Sequence, residues 1–326
     1  MEIATEVSTT EWRDFIDRTP GGNIFQGPDM ARVYKQTKGY EPHVVASLQG
    51  GSINGLLASV IVSHRTGRLS RLASRAIAVG GPIGDPATFP SLLVAHDEHT
   101  EKRALLTQVR NLIAPRDLTP FASVGYRWED HLNFVVNLNQ SEEKLLSGMS
   151  KARRRGIERA ARSGLELVDL KREQLPFAYA LLQETSLRAR VPLADRSLFE
   201  NALTILGGAG KLWVLGAWFS DRLCAVRFVL NSKKTLFDWY AGSSDLGRSN
   251  HADEWLVWQV FRRGIQNGFY EFDFGGAGPP DSGYGPGEFK RRFGGQSVAP
   301  GRFVKTYHPI ALMAAKTLFR IWKGRT

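Results

Sequence analysis

The sequence predicts two α/β domains in tandem. Three observations carry this. A chain of 326 residues is long enough for two ordinary domains. An order of helix, helix, then hairpin occurs in each half. The stretch Val45–Gly55 and the stretch Leu215–Ala225 share one plan: strand, polar turn, aliphatic residue, small residues.

The elements follow in order. Thr10 to Asp17 puts Trp12, Phe15 and Ile16 on one helical face, and Thr19-Pro20-Gly21-Gly22 ends it. Pro28 opens a second helix with Met30, Val33 and Tyr34, closed by Lys38-Gly39. His43–Leu48 and Ile53–Val62 are β-branched-rich runs joined by Gln49-Gly50-Gly51-Ser52, a hairpin signature. A strand is expected at Ala76–Val79, a helix at about Lys102–Leu112, and a loop beside His96-Asp97-Glu98-His99.

The second half reads as helices at Pro176–Arg190 and Ser197–Leu206, then strands at Leu212–Phe219, Leu223–Leu230 and Thr235–Tyr240. A helix from about Asp253 to Gln266 and a strand at Phe269–Phe274 complete it. Between the halves, Ser141 with Glu142 and Glu143 signals a helix start, followed by a stripe of Leu145, Leu146, Met149 and Ala152. Lys151–Arg162 then carries six basic residues in twelve, and Gly164 is the stop.

Composition excludes several classes. Hydrophobic residues make up 42% and charged residues 23%, so the chain is neither disordered nor collagenous. The lone Cys224 excludes a disulfide framework within the chain and any multi-cysteine metal site. The start, Met1-Glu2-Ile3-Ala4-Thr5-Glu6, is acidic and unlike a secretory signal, and no apolar run approaches the ~20 residues of a spanning helix. A cytoplasmic location is expected. With 43 basic and 32 acidic residues the net charge is +11, which favours a polyanionic partner: nucleic acid, an anionic membrane surface or a phosphorylated substrate. Lys151, Arg153, Arg154 and Arg155 are the densest candidates for phosphate contact.

No histidine pair has metalloprotease spacing, no metal site is expected, and no Walker A or Rossmann fingerprint occurs. Gly275-Gly276-Ala277-Gly278 follows a strand but leads into Pro279-Pro280, so it does not open a dinucleotide-binding helix. The long glycine- and proline-rich loop that follows is bracketed by aromatics and ends at Phe289-Lys290, a setting that presents a cation over a cleft.

Five segments in order resemble the FemABX family. They are Phe25–Met30, Ser150–Leu165, Tyr240–Ser243 with the helix through Trp255–Trp258, Phe272–Gly276, and Glu288–Gly294. The resemblance implies two tandem GNAT-like domains, at about 1–133 and 134–302, with a terminal helix over 303–326 that packs back on the first. It implies transfer of an amino acid from aminoacyl-tRNA to an amine of a cell-envelope precursor or peptide. Family look-alikes linked to exopolysaccharide use other acyl donors. Three functions therefore stand: an aminoacyltransferase, an acyl-CoA-dependent N-acyltransferase, and a non-catalytic RNA- or membrane-binding scaffold.

By resemblance, Lys290 stabilises the developing oxyanion, the Phe289 carbonyl accepts from the amine, and Tyr240 donates beside the ester. Arg248, Arg291 and Arg292 join the donor-side phosphate contacts, and Arg32, Lys35 and Arg196 are candidates for acceptor phosphate. No cofactor is implied. Arg248–Ala252 stands where a GNAT pyrophosphate loop would be but lacks its central glycine. The terminal helix, with Lys316, Arg320 and Lys323 beside Ile310, Met313, Leu318, Phe319, Ile321 and Trp322, is expected to dock on the first domain or contact an anionic bilayer peripherally.

Overall fold

The computed structural model describes residues 2–63, 74–280 and 285–324. Part of the glycine-rich loop, Asp281–Tyr284, lies outside them, as do the side chains of Lys316 and residues 318–324 of the terminal helix. The chain forms two compact units, Met1–Asp130 with Pro300–Thr326, and His131–Ala299.

The first unit is built on a mixed sheet. Its strands run in the order Glu2–Ala4, Tyr40–Gln49, Ser52–Ser63, Ser74–Val79, Leu106–Arg110, Arg302–Thr306, Arg127–Glu129, with Ile83–Gly84 added to the third. Ser74–Val79 and Leu106–Arg110 are parallel, joined through the helix Phe89–Thr100. Leu57, Leu92, Leu93, Val109, Phe121 and Phe303 form a core between sheet and helix. One expectation is corrected here. Residues 102–112 contain a strand, because Thr107 and Val109 alternate into the core and pair on both sides. The helix Phe89–Thr100, which holds His96-Asp97-Glu98-His99 with His96 and Asp97 buried, was not expected; the turn beside it falls at 101–103.

The second unit repeats the plan. Its order is Gln296–Val298, Leu132–Asn137, Glu271–Gly278, Thr235–Ser243, Arg222–Ser232, Leu212–Phe219, Glu166–Asp169. The helix Ala252–Gln266 joins the parallel pair Thr235–Ser243 and Glu271–Gly278. It buries Trp255, Leu256, Val260 and Phe261 against Val229, Leu236, Phe272 and Phe274. The segment between the halves is two helices, of which the second is the basic one. Ser141 caps Glu142–Gly148 and Ser150 caps Lys151–Arg162, each hydroxyl accepting an amide hydrogen bond in the first turn. Among the described residues, no helix is long and apolar enough to cross a membrane.

Candidate active site

The site is a gap in the second sheet. Thr235–Ser243 and Glu271–Gly278 pair only at Thr235–Phe237 with Glu271–Asp273. Beyond that point both strands leave regular register. Against Arg222–Ser232, Asp238 and Tyr240 oppose adjacent residues, so Trp239 is the extra residue of a bulge. Against Leu132–Asn137, Glu271–Gly278 slips between Asp273 and Gly276 and again between Gly276 and Gly278. Gly275 has φ +70, and a Cβ there would meet no atom within 4 Å, so the need for glycine is conformational. The bulges turn the Gly275 and Gly276 carbonyls toward Lys290.

Lys290, on the helix Gly285–Arg291, donates to the Gly276 carbonyl at 2.7 Å and the Gly275 carbonyl at 3.3 Å. Burial lowers its pKa, opposed by the carboxylates of Asp238 and Asp273. Asp273 Oδ1 accepts from the Gly275 amide at 2.6 Å. Burial raises the Asp273 pKa to about 6, with Glu271 and Asp238 adding to the rise and the Gly275 amide and Lys290 opposing it.

Arg153 is not a solvent-facing phosphate ligand. It is 6% exposed, pairs with Glu254 at 2.8 Å, and stacks on the rings of Phe289 and Phe293 at 4.4 and 4.3 Å. Its Nη2 also donates to the Phe289 carbonyl at 3.3 Å, so one lone pair of that candidate amine acceptor is engaged. Arg154 is likewise structural: it donates to the Leu146, Ser147 and Met149 carbonyls at the end of the preceding helix. Lys151 and Arg155 are exposed.

The remaining candidates scatter. Arg291 and Arg292 both pair with Glu288, whose pKa falls to about 2 chiefly through hydrogen bonds from Arg291 and then Arg292. Arg248 pairs with Asp245 and Arg196 with Glu200. Arg32 and Lys35 are exposed on a helix of the first unit. Tyr240 lies on the strand across the gap from Gly275, its ring edge-on to Phe199 at 4.8 Å. The structure thus brings Lys290, Phe289 and Arg153 together, and does not bring the other basic residues into the gap.

Sequence reasoning missed the acids. Arg227 is 1% exposed and holds Asp238 at 2.6 Å and Asp253 at 2.5 Å. Asp238 in Phe237-Asp238-Trp239 and Asp273 in Phe272-Asp273-Phe274 are acids inside apolar strands. Such acids need a buried partner or a function, so the signal was present. Among the described residues, no group of three or more His, Cys, Asp or Glu side chains is placed to hold a metal.

Residues 149–291 match the model of the acetyltransferase (GNAT) domain family. The chain is also similar to solved structures along most of its length. A tandem GNAT protein from the clavulanic acid biosynthesis pathway, 11% identical, aligns over 94% of this chain and 98% of its own at TM-score 0.60. The chain has the tandem GNAT fold. FemX aligns over 97% of the present chain and 100% of its own, at 15% identity and TM-score 0.72. The C-terminal domain of a putative lysylphosphatidylglycerol synthetase from Agrobacterium fabrum aligns over 94% of each chain, at 19% identity and TM-score 0.59. These likenesses establish the fold, which is that of GNAT-type acyltransferases. No curated protein matches the sequence.

Proposed function

We propose that this tandem GNAT protein transfers an aminoacyl group from aminoacyl-tRNA to an amine of a cell-envelope precursor or peptide. The ester of such a donor is already activated, so the reaction needs a neutral amine, close positioning and a partner for the tetrahedral oxyanion. The amine nitrogen attacks the carbonyl carbon, the ribose oxygen leaves with a proton, and the amine gives up one. Lys290 meets the oxyanion as an ammonium, and no covalent enzyme intermediate is required.

The observation that carries the choice of donor is the segment ahead of the helix Ala252–Gln266. A coenzyme A diphosphate needs backbone amides directed at it from this place. Here the amides of Gly247, Arg248, Asn250 and His251 all donate within the segment. A Cβ on Gly247 would stand 2.3 Å from the Cys224 carbonyl oxygen, so the segment is packed flat on its neighbour strand. Asp253 and Glu254 fill the first turn of the helix, each paired with a buried arginine, Arg227 and Arg153, so the protein's own acids already occupy this end. The name of the lysylphosphatidylglycerol synthetase neighbour also points toward an aminoacyl group.

A second reading, an acyl-CoA donor, has one observation in its favour. Arg188 and Arg248 both donate to the Ser243 carbonyl, at 3.1 and 3.5 Å, and stand half-exposed at the end of the splayed strand. A transfer assay offering charged tRNA and acetyl-CoA separately, with an amine acceptor, decides between them. Transfer from charged tRNA alone supports the proposal. Transfer from acetyl-CoA alone replaces it with the second reading.

A further inference from the structure

We propose that Asp273 is the positioning residue of this site: through the Gly275–Gly276 bulge it fixes where the Lys290 ammonium stands. The inference rests on the reading of Lys290 as the cation that meets the oxyanion.

The contacts form one chain. Asp273 Oδ1 accepts from the Gly275 amide at 2.6 Å, which closes a tight turn around Phe274 that ends at the left-handed Gly275. That turn stands where the strand slips its register on Leu132–Asn137 between Asp273 and Gly276, and the Gly275 and Gly276 carbonyls both accept from Lys290 Nζ. An ammonium has three N–H donors. Two are committed to these carbonyls, so the direction of the third is set, and it is the third that serves the oxyanion. A flexible lysine reaching from a surface would have to order itself in each turnover. Here the order is supplied in advance by an acid three residues into a strand.

The electrostatics agree with the geometry. Asp273 faces Glu271 on its own strand, Asp238 across the gap and Lys290 from the helix above it. Lys290 in turn faces Asp238, Asp273 and Arg227. Arg227 is committed to Asp238 and Asp253. As pH falls toward about 6 Asp273 takes up a proton, and the turn loses its charged acceptor with it.

The test measures aminoacyl transfer by Asp273→Ala, Asp273→Asn, Lys290→Met and the double variant Asp273→Ala/Lys290→Met. Asp273→Ala is expected to lower kcat about 10–100-fold with KM little changed, the scale of a small misplacement of a reacting group. Asp273→Asn, which keeps an acceptor oxygen, falls between that variant and the wild type. The double variant equals Lys290→Met, because Asp273 acts through the lysine. Wild-type kcat falls as pH drops below about 6, the Asp273 value. Asp273→Asn lacks that limb and keeps only the titration of the amine that both proteins share.

A purely structural Asp273 gives multiplied losses in the double variant and an unchanged limb, and either result overturns the inference. Inactive Lys290→Met beside fully active Asp273→Ala overturns it alone and leaves the role of Lys290 standing. Fully active Lys290→Met removes both. If Asp273→Ala does not fold, the pH profile of Asp273→Asn decides: a wild-type limb near pH 6 overturns the proposal.

Discussion

Arg227→Met is the most informative perturbation of the second unit's stability. Arg227 is 1% exposed and holds two carboxylates, Asp238 at 2.6 Å and Asp253 at 2.5 Å. Burial would lower its pKa, but the two carboxylates more than reverse that and hold it charged. Methionine fills much of the volume, so little of the loss comes from a cavity. The loss comes from leaving Asp238 and Asp253 without a counter-charge in a site with little water. Breaking a buried pair from one side costs about 3–5 kcal/mol. For a domain of this size each kcal/mol moves the midpoint by ~2–4 °C, so the second unit should melt roughly 6–20 °C earlier. Thermal and urea unfolding followed by circular dichroism read this directly. Arg227→Met/Asp238→Asn/Asp253→Asn should recover most of the loss, because the stranded charges are gone. A single variant melting within about 2 °C of the wild type would refute the reasoning, since it would mean the carboxylates are already solvated.

Three further outcomes are expected. Lys290→Met keeps the stem and removes the charge, so kcat for transfer should fall about 10²–10³-fold with donor affinity little changed. Reversing Arg155, Arg159 and Arg162 to Glu, all exposed on one face of their helix, should weaken binding of an RNA hairpin and cut the salt slope by about 2–3 units. An unchanged slope would make that face solvated surface only. Asp273→Asn should be more stable than the wild type at pH 7.5 and no more stable near pH 3.5. The folded-state pKa is raised from 3.8 to about 6, so the wild type loses stability as pH rises through that window. The difference is up to ~3 kcal/mol, read by urea unfolding at the two pH values.

The second unit was legible because its central strands are rich in apolar residues and short polar turns, Ser220-Asp221 and Lys233-Lys234, separate them. The sequence places strands at Leu212–Phe219 and Leu223–Leu230 and a helix at Asp253–Gln266, and the structure has Leu212–Phe219, Arg222–Ser232 and Ala252–Gln266. The first unit deceived where partners decide. Leu105, Val109 and Leu112 recur at helical spacing, yet Leu106–Arg110 is a strand because Ser74–Val79 and Arg302–Thr306 pair with it from either side. Phe89–Thr100 was unread because its buried face includes His96, Asp97 and Thr100, polar residues satisfied only in the fold. The site divided the same way. The setting of Phe289 and Lys290 showed in the glycine-rich approach, whereas Asp238 and Asp273 became interpretable only once the gap between their strands was known. Arg153 was readable in principle: it shares a helical face with Gly156, Ile157 and Ala160.

The strand Arg302–Thr306 lies inside the first sheet, between Leu106–Arg110 and Arg127–Glu129. Phe303 stacks on Phe121 at 3.7 Å, while Lys305 and Tyr307 both bond the buried Asp97. A ribosome delivers this strand only after all of His131–Ala299 has been made. The first unit therefore waits, unfinished, with Leu106–Arg110 as an open edge throughout synthesis of the second. The order of assembly is thus inverted relative to the order of translation: the later segment can close first, and the earlier one is sealed last.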